Sequence, residues 1–397
     1  EDQTTQYIGE CLERWRELVA LHARDLGRAE ANRYGTLMTV LFQAAMCHPR
    51  SIEAVARARV RETDAGGRRR LGLSEDEWAL IQSLPLVRGE TAIMDKIIAT
   101  VQANANEDSL LKALHGLLTG RLEPQDSVVV FVSSPLAADH LAESLEAMID
   151  KTVLRSGPLV SGNVDGIELP PGPPGSSGCG LVVICDRWSE EGLNLHELGA
   201  TYLIHLDLPL SPIRVEQRIG RLDRIGASEG VGSIVLLCGW RLAREWTACL
   251  SEGTGVFDRS IASLQFALED HLKGLALRML QGGVDVIQDV KRLFLDPDRG
   301  LEHELRLIQH QEELDSAAPG EHSDVVREPV GAPPGEATQG WLCEVMRLRK
   351  EPEHQRPGVH RYCYVNGGKL LTRIPRKACE ALLSSALDPA LQARRKV

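Results

Sequence analysis

Three observations predict an α/β fold for this 397-residue chain, a parallel-sheet lobe flanked by helical segments with a small α+β domain at the end. Nearly all-apolar runs at 128–132 (Val-Val-Val-Phe-Val) and 181–185 (Leu-Val-Val-Ile-Cys) have the composition of strands buried on both faces. Amphipathic stretches at helical spacing alternate with such runs, as in a parallel sheet covered on both sides. An Asn-Gly-Gly turn at 366–368 joins two β-rich runs near the end. Composition divides the chain into a helical segment at 1–118, a sheet lobe at 119–245, a helical extension at 246–315, a Pro/Gly/Glu-rich linker at 316–338 and a terminal domain at 339–397.

The elements follow in order. Leu12, Trp15, Leu18 and Val19 recur at helical spacing. A second helix runs from Tyr34 to Cys47, and Ser51 is expected to cap a third through Val60. Arg57, Arg59, Arg61, Arg68, Arg69 and Arg70 form either a solvated helix end and loop or a phosphate-contacting patch. Two more helices are read over 74–118, the first opened by a capping box of Ser74 and Glu77. Four strands are expected at 127–132, 181–185, 201–206 and 233–238, with a helix from Pro135 to about Ile149 and another begun by Ser211 and Pro212. Residues 157–180 read as loop. A hairpin is expected over 362–372, after a helix or strand at 341–349 and before a helix from Pro375.

Composition limits the function. Lys plus Arg is 45 and Asp plus Glu is 56, a net charge of −11, so any nucleic-acid contact must come from local patches. Aromatic residues make up only 4%, too few for base stacking to be the main device. The nine cysteines include no Cys-x-x-Cys pair and no zinc pattern, so reduced cytosolic thiols and no metal site are expected. No apolar run approaches the ~18–20 residues that span a bilayer, and a cytoplasmic protein is expected. The first residue is Glu1 rather than Met, which suggests a cut.

The chemistry concentrates after the second and third predicted strands. In the helix after Pro212, Val215, Ile219 and Leu222 share one face. Gln217, Arg221 and Arg224 form a row on the opposite face, beside Gly220, which leaves room for close approach. Guanidiniums one turn apart repel unless a polyanion lies between them, and their forked donors suit phosphate. Glu191, Gly192 and Asn194 fall just beyond the carboxyl end of a buried strand, where open α/β sheets bind ligands.

The order of these pieces resembles the second RecA-like lobe of superfamily 2 helicases, in the Swi/Snf-type branch close to bacterial RapA-like proteins. Residues 128–134 resemble motif IV, 189–195 motif V, and 216–226 (Glu-Gln-Arg-Ile-Gly-Arg-Leu-Asp-Arg-Ile-Gly) motif VI. The Asp-Leu-Pro-Leu-Ser-Pro run at 207–212 resembles the link between the last two. The resemblance implies an arginine finger at Arg224, partnered at the nucleotide phosphates by Arg221, with Gln217 joining the ATP site to lobe closure. It places Glu191, Gly192, Asn194 and Gly220 around ATP, and Ser133, Ser134, Ser189 and Arg218 toward DNA. His196 stands where the family usually has Gln, and 158–180 is shorter and richer in Gly and Pro than its counterparts.

The sequence contains no Gly-x-x-x-x-Gly-Lys-Ser/Thr cradle and no apolar strand ending in Asp-Glu-x-His. The resemblance therefore implies ATP with Mg²⁺ held mainly by an N-terminal lobe supplied in cis or in trans, with 1–118 as the segment between lobes. The expected function is the C-terminal portion of an ATP-dependent double-stranded DNA translocase, inactive as this chain alone. A catalytically degenerate scaffold and an RNA-directed helicase are the alternatives. A protein partner is expected at 339–397 and no membrane contact.

Overall fold

The computed structural model describes residues 2–61, 67–156, 180–190, 195, 198–222, 231–317, 348–352, 360–366 and 369–373. It divides into two compact units, Glu1–Glu313 and Leu314–Val397.

The first unit begins with helices α1 (Gln3–Ala23), α2 (Arg28–Cys47), α3 (Pro49–Val60), the one-turn α4 (Gly67–Leu71), α5 (Glu75–Ser83), α6 (Glu90–Ala103) and α7 (Ser109–Gly120). Helix α3 starts two residues before the expected cap. Pro49 fixes the first turn, and the N-cap is His48, whose Nδ1 accepts from the Arg50 N–H at 3.1 Å. Ser51 is instead buried inside the helix. The capping box at α5 is present in both directions. Residues 74–118 hold three helices rather than two, because the Pro85–Gly89 stretch separates α5 from α6 and Asp108 opens α7.

The lobe contains β1 (Val128–Phe131), α8 (Pro135–Glu146), β2 (Thr152–Arg155), β3 (Leu181–Cys185), β4 (Tyr202–His205), α9 (Pro212–Ile219) and β5 (Gly232–Val235). All five strands are parallel in the order β2-β3-β1-β4-β5, an α/β RecA-like sheet flanked by helices. Strand side chains alternate between faces. Val128, Val130, Ile184 and Ile204 pack beneath α7 and α8, while Val129, Phe131, Val183 and Leu203 meet Leu195, Leu198 and Leu222. The four expected strands are found. The fifth, β2, is a half-buried edge strand whose mixed Thr-Val-Leu-Arg spelling lacks the apolar run of its neighbours.

Helices α10 (Arg241–Ala248), α11 (Gln265–Leu272), α12 (Leu275–Gly282), α13 (Asp285–Phe294) and α14 (Leu301–Ala317) follow, with a π-helical turn at Cys249–Thr254. The helical segments before and after the lobe share one core. Trp15, Tyr34, Leu37, Phe42 and Ile97 pack with Leu242, Trp246, Met279, Ile287 and Phe294. Gly35 permits a close backbone approach, since a Cβ there would lie 2.8 Å from the backbone carbon of Ala276. Leu208 and Val215 of the lobe reach into the same core and seat α9 on the helical layer.

In the second unit, β6 (Leu348–Pro352), β7 (His360–Asn366) and β8 (Lys369–Arg373) form an antiparallel sheet in the order β6-β7-β8. The expected hairpin is its β7–β8 pair, and β6 resolves 348–349 as strand. The helix expected from Pro375 lies outside the described residues. Among the described residues no helix is long and apolar enough to cross a membrane.

Candidate functional site

The carboxyl ends of β1, β3 and β4 converge on one side chain, Arg218, which α9 places with none of its surface exposed. Its Nε donates to Glu190 Oε1 at 2.8 Å, Nη1 to the Asp207 carbonyl at 2.7 Å and Nη2 to Ser133 Oγ at 2.8 Å. The Phe131 ring lies 5.3 Å from its guanidinium carbon. A buried cation persists only when paired and hydrogen-bonded, and both conditions are met here. Burial disfavours the charged form of Arg218, but Asp207 and Glu190 outweigh it and hold the pKa above the ordinary arginine value.

Two carboxylates extend the network. Asp207 accepts from the Ser133 N–H at 2.8 Å and from Gln43 Nε2 of α2 at 2.9 Å, and Gln43 Oε1 accepts from the Leu210 N–H at 2.9 Å. Glu190 ends a single 3₁₀ turn, Arg187–Glu190, after β3. Its carboxylate also accepts from Arg214 Nε at 2.8 Å and Nη2 at 3.0 Å. Burial raises the Glu190 pKa, but the charges of Arg218 and Arg214 prevail and hold it below the usual carboxylate range. The Glu190 main-chain carbonyl accepts from Arg221 Nε at 2.8 Å.

Arg221 departs from the expected helix face. Helix α9 ends at Ile219 with Gly220 as its C-cap, so Arg221 sits in the turn beyond. It is half-buried, and its Nε alone is hydrogen-bonded among the described residues. Gln217 is exposed on α9, and Gly220 is exposed at its end. Val215 and Leu222 are buried, and Ile219 is half-buried, as the apolar spacing requires. Arg224, Glu191, Gly192, Asn194 and His196 lie outside the described residues.

The four residues expected toward DNA are buried in the lobe. Arg218 is an internal ion-pair partner. Ser133 spends its hydroxyl on Arg218 and its N–H on Asp207. Ser134 is buried as the N-cap of α8, accepting from the Ala137 N–H. Ser189 is buried against Ser156 Oγ at 2.7 Å and beside Asp186. All four fall among the buried polar residues. The arginine-rich stretch is largely self-paired as well: Arg57 with Glu53, Arg61 with Asp95 and Arg68 with Glu75, while Arg59 is buried against Glu90. Arg69 and Arg70 remain exposed.

Sequence reasoning missed Glu190, Arg214 and Gln43. The signal was present for Arg214, because Arg214 and Arg218 stand one turn apart and need an anion between them. Gln43 carried none, since its partners lie 164 to 167 residues away. Its tie crosses from the helical layer to the lobe beside a cavity of about 190 Å³ lined by Gln43, Ser51, Glu77, Ser133, Arg187 and Arg214 among others.

Among the described residues, one group of three metal-type donors comes together: His48, Asp108 and His140. Both imidazole Nε2 atoms lie on Asp108 Oδ2, at 3.1 and 2.8 Å. Because His48 Nδ1 accepts from the Arg50 N–H, its proton belongs on Nε2, the atom a metal would need. The group fits a hydrogen-bonded clamp among α3, α7 and α8 better than an ion site.

No family model matches the chain. Over 54 residues it is 44% identical to the RNA polymerase-associated protein RapA of Pectobacterium carotovorum and of Pectobacterium atrosepticum, a match covering 14% of this chain and 5% of either relative. Over 58 residues it is 38% identical to the defense against restriction protein B of Escherichia phage P1, covering 15% of this chain and 2% of that protein. The matches thus span a small part of each relative, and they give a local likeness to RapA-like proteins. A crystal structure of the C-terminal part of the Fun30 ATPase domain aligns over 72% of this chain and 93% of its own, with TM-score 0.34 and 13% identity.

Proposed function

We propose that this chain forms the C-terminal half of an ATP-driven translocase on double-stranded DNA, with ATP hydrolysed between its lobe and a second, nucleotide-holding lobe. The observation that carries the reading is Arg221. One nitrogen is fixed on a buried turn, and the terminal fork has no partner among the described residues, an arrangement suited to a phosphate arriving from outside. Gln217 is exposed on the adjoining helix, and the motif VI spelling puts Arg224 three residues further on.

The donor set fits the outer side of a triphosphate and not its cradle. Arg221 and Arg224 stabilise charge on the transferring phosphoryl group as the lobes close, which ties hydrolysis to lobe angle. Mg²⁺, which the other lobe would hold, would supply neutralisation of the phosphate charge. Alternating grip on phosphate is independent of sequence and falls with salt.

A degenerate, non-hydrolysing scaffold is the second reading. It is favoured by the burial of Ser133, Ser134, Ser189 and Arg218, the four residues expected toward DNA.

The deciding experiment replaces Arg224 by Ala in a protein carrying both lobes and measures ATPase with duplex DNA, single-stranded DNA and RNA. A translocase of this kind responds most to duplex DNA and loses turnover by about 10³-fold. Unchanged turnover removes Arg224 from the finger role, and no hydrolysis in the parent protein favours the scaffold.

A further inference from the structure

We infer that Glu190 is the positioning residue for the nucleotide-facing arginine, an inference that rests on the reading of Arg221 given above. Among the described residues, Glu190 is the one that joins Arg214, Arg218 and Arg221. Its carboxylate binds Arg214 and Arg218, and its carbonyl binds Arg221. The two functions lie on one residue, so the carboxylate's hold on α9 sets where the carbonyl points.

The geometry makes this a rigid mount. Arg218 is locked from three sides by Glu190, Asp207 and Ser133, and Asp207 is tied through Gln43 to α2 of the helical layer. The 3₁₀ turn carrying Glu190 is pinned at its start as well. Asp186 accepts from the Trp188 N–H at 2.8 Å and from Arg155 Nη2 at 2.6 Å, and Arg187 donates to Glu77 at 2.7 Å. The turn is therefore held at both ends, and the bond from Arg221 Nε to its last carbonyl anchors one edge of the guanidinium. Arg221 then approaches phosphate with its fork already oriented. A misplacement of about 1 Å at such a group costs on the order of 100-fold in rate.

The test is a double-mutant cycle on ATP turnover in the protein carrying both lobes. Glu190→Gln and Arg214→Met are each made alone and with Arg221→Ala. Arg214→Met loosens the Glu190 carboxylate at a side chain that keeps 24% exposure, and so serves where Glu190→Gln fails to fold. The expected result is that Glu190→Gln lowers kcat about 100-fold and Arg214→Met about tenfold, with KM for ATP little changed, and that neither lowers turnover further once Arg221 is Ala. Equal losses with and without Arg221 would mean that Glu190 only supports the fold, and would overturn the inference. If Arg221→Ala alone leaves turnover unchanged, the reading of Arg221 fails first, and the two failures are told apart.

Discussion

Arg59 in the helical core and Arg218 beneath the carboxyl edge of the sheet are both sealed from water, hydrogen-bonded at every nitrogen and paired with a buried glutamate. Arg59 binds Glu90 and the carbonyls of Ile81, Leu84 and Pro85, acceptors that all lie between the end of α5 and the start of α6. It closes a helix–helix corner and leads no further. Arg218 draws partners from three different connections of the lobe, and its glutamate passes on to Arg214 and, through its carbonyl, to Arg221 near the surface. Burial of a charge is therefore not itself a mark of function. What separates the two is whether the network ends inside the core or delivers an oriented donor to solvent.

The contrast breaks most readily at the arginines themselves. Arg59→Met removes the cation paired with Glu90, and Arg218→Met leaves Asp207 without its cation and Glu190 with Arg214 alone, so each should destabilise the fold by about 3–5 kcal/mol in urea denaturation. Turnover per folded molecule, in the protein carrying both lobes, is expected to survive the first change and fall with the second. Equal turnover losses would erase the distinction.

A smaller effect sharpens the Arg218 side. His205 is completely buried at the end of β4, with no hydrogen-bond partner on either ring nitrogen among the described residues. Burial and the Arg218 charge push its pKa down to about 3. In the unfolded chain the imidazole binds a proton below about pH 6.5, while the folded chain refuses it until about pH 3. This contribution to stability is present above pH 6.5 and falls by roughly 1.4 kcal/mol per unit as pH drops through that window. His205→Leu should remove roughly 2 kcal/mol of the stability difference between pH 7 and pH 5. An unaltered pH slope would show that the buried imidazole does not resist protonation.

The smallest effect concerns the layer that holds the site. Ser74→Ala removes the capping box of α5 and should cost about 1 kcal/mol by thermal or urea unfolding. No loss would mean that the contact of Glu77 with Arg187 holds this corner without the cap.

Local signals made much of this legible. The apolar runs marked four strands, Ser74 with Glu77 marked a helix start, and Asn-Gly-Gly marked the hairpin, because each depends on neighbours in sequence. The edge strand β2 was missed because an edge position does not demand an all-apolar spelling. The helix face carrying Gln217 and Arg221 was read one turn too long, since Gly220, the cap on which α9 stops, was read only as room for close approach. Arg218 read as a surface cation because only the fold supplies its acceptors, from 11, 28 and 85 residues away. The same holds for Gln43, whose role exists only once α2 meets the loop after β4.

The core shared by the first and last helices governs how this chain can be dissected. The Phe42 ring stands edge-on to Trp240 with centroids 4.9 Å apart, and Gly35 lies against the backbone at Ala276. Residues 1–118 expressed alone would bare the surface that later helices cover, and a fragment starting at 119 would bare its complement. A soluble truncation has to keep both ends of the first unit, because the lobe between them is an insertion into a helical body rather than a bead on a string.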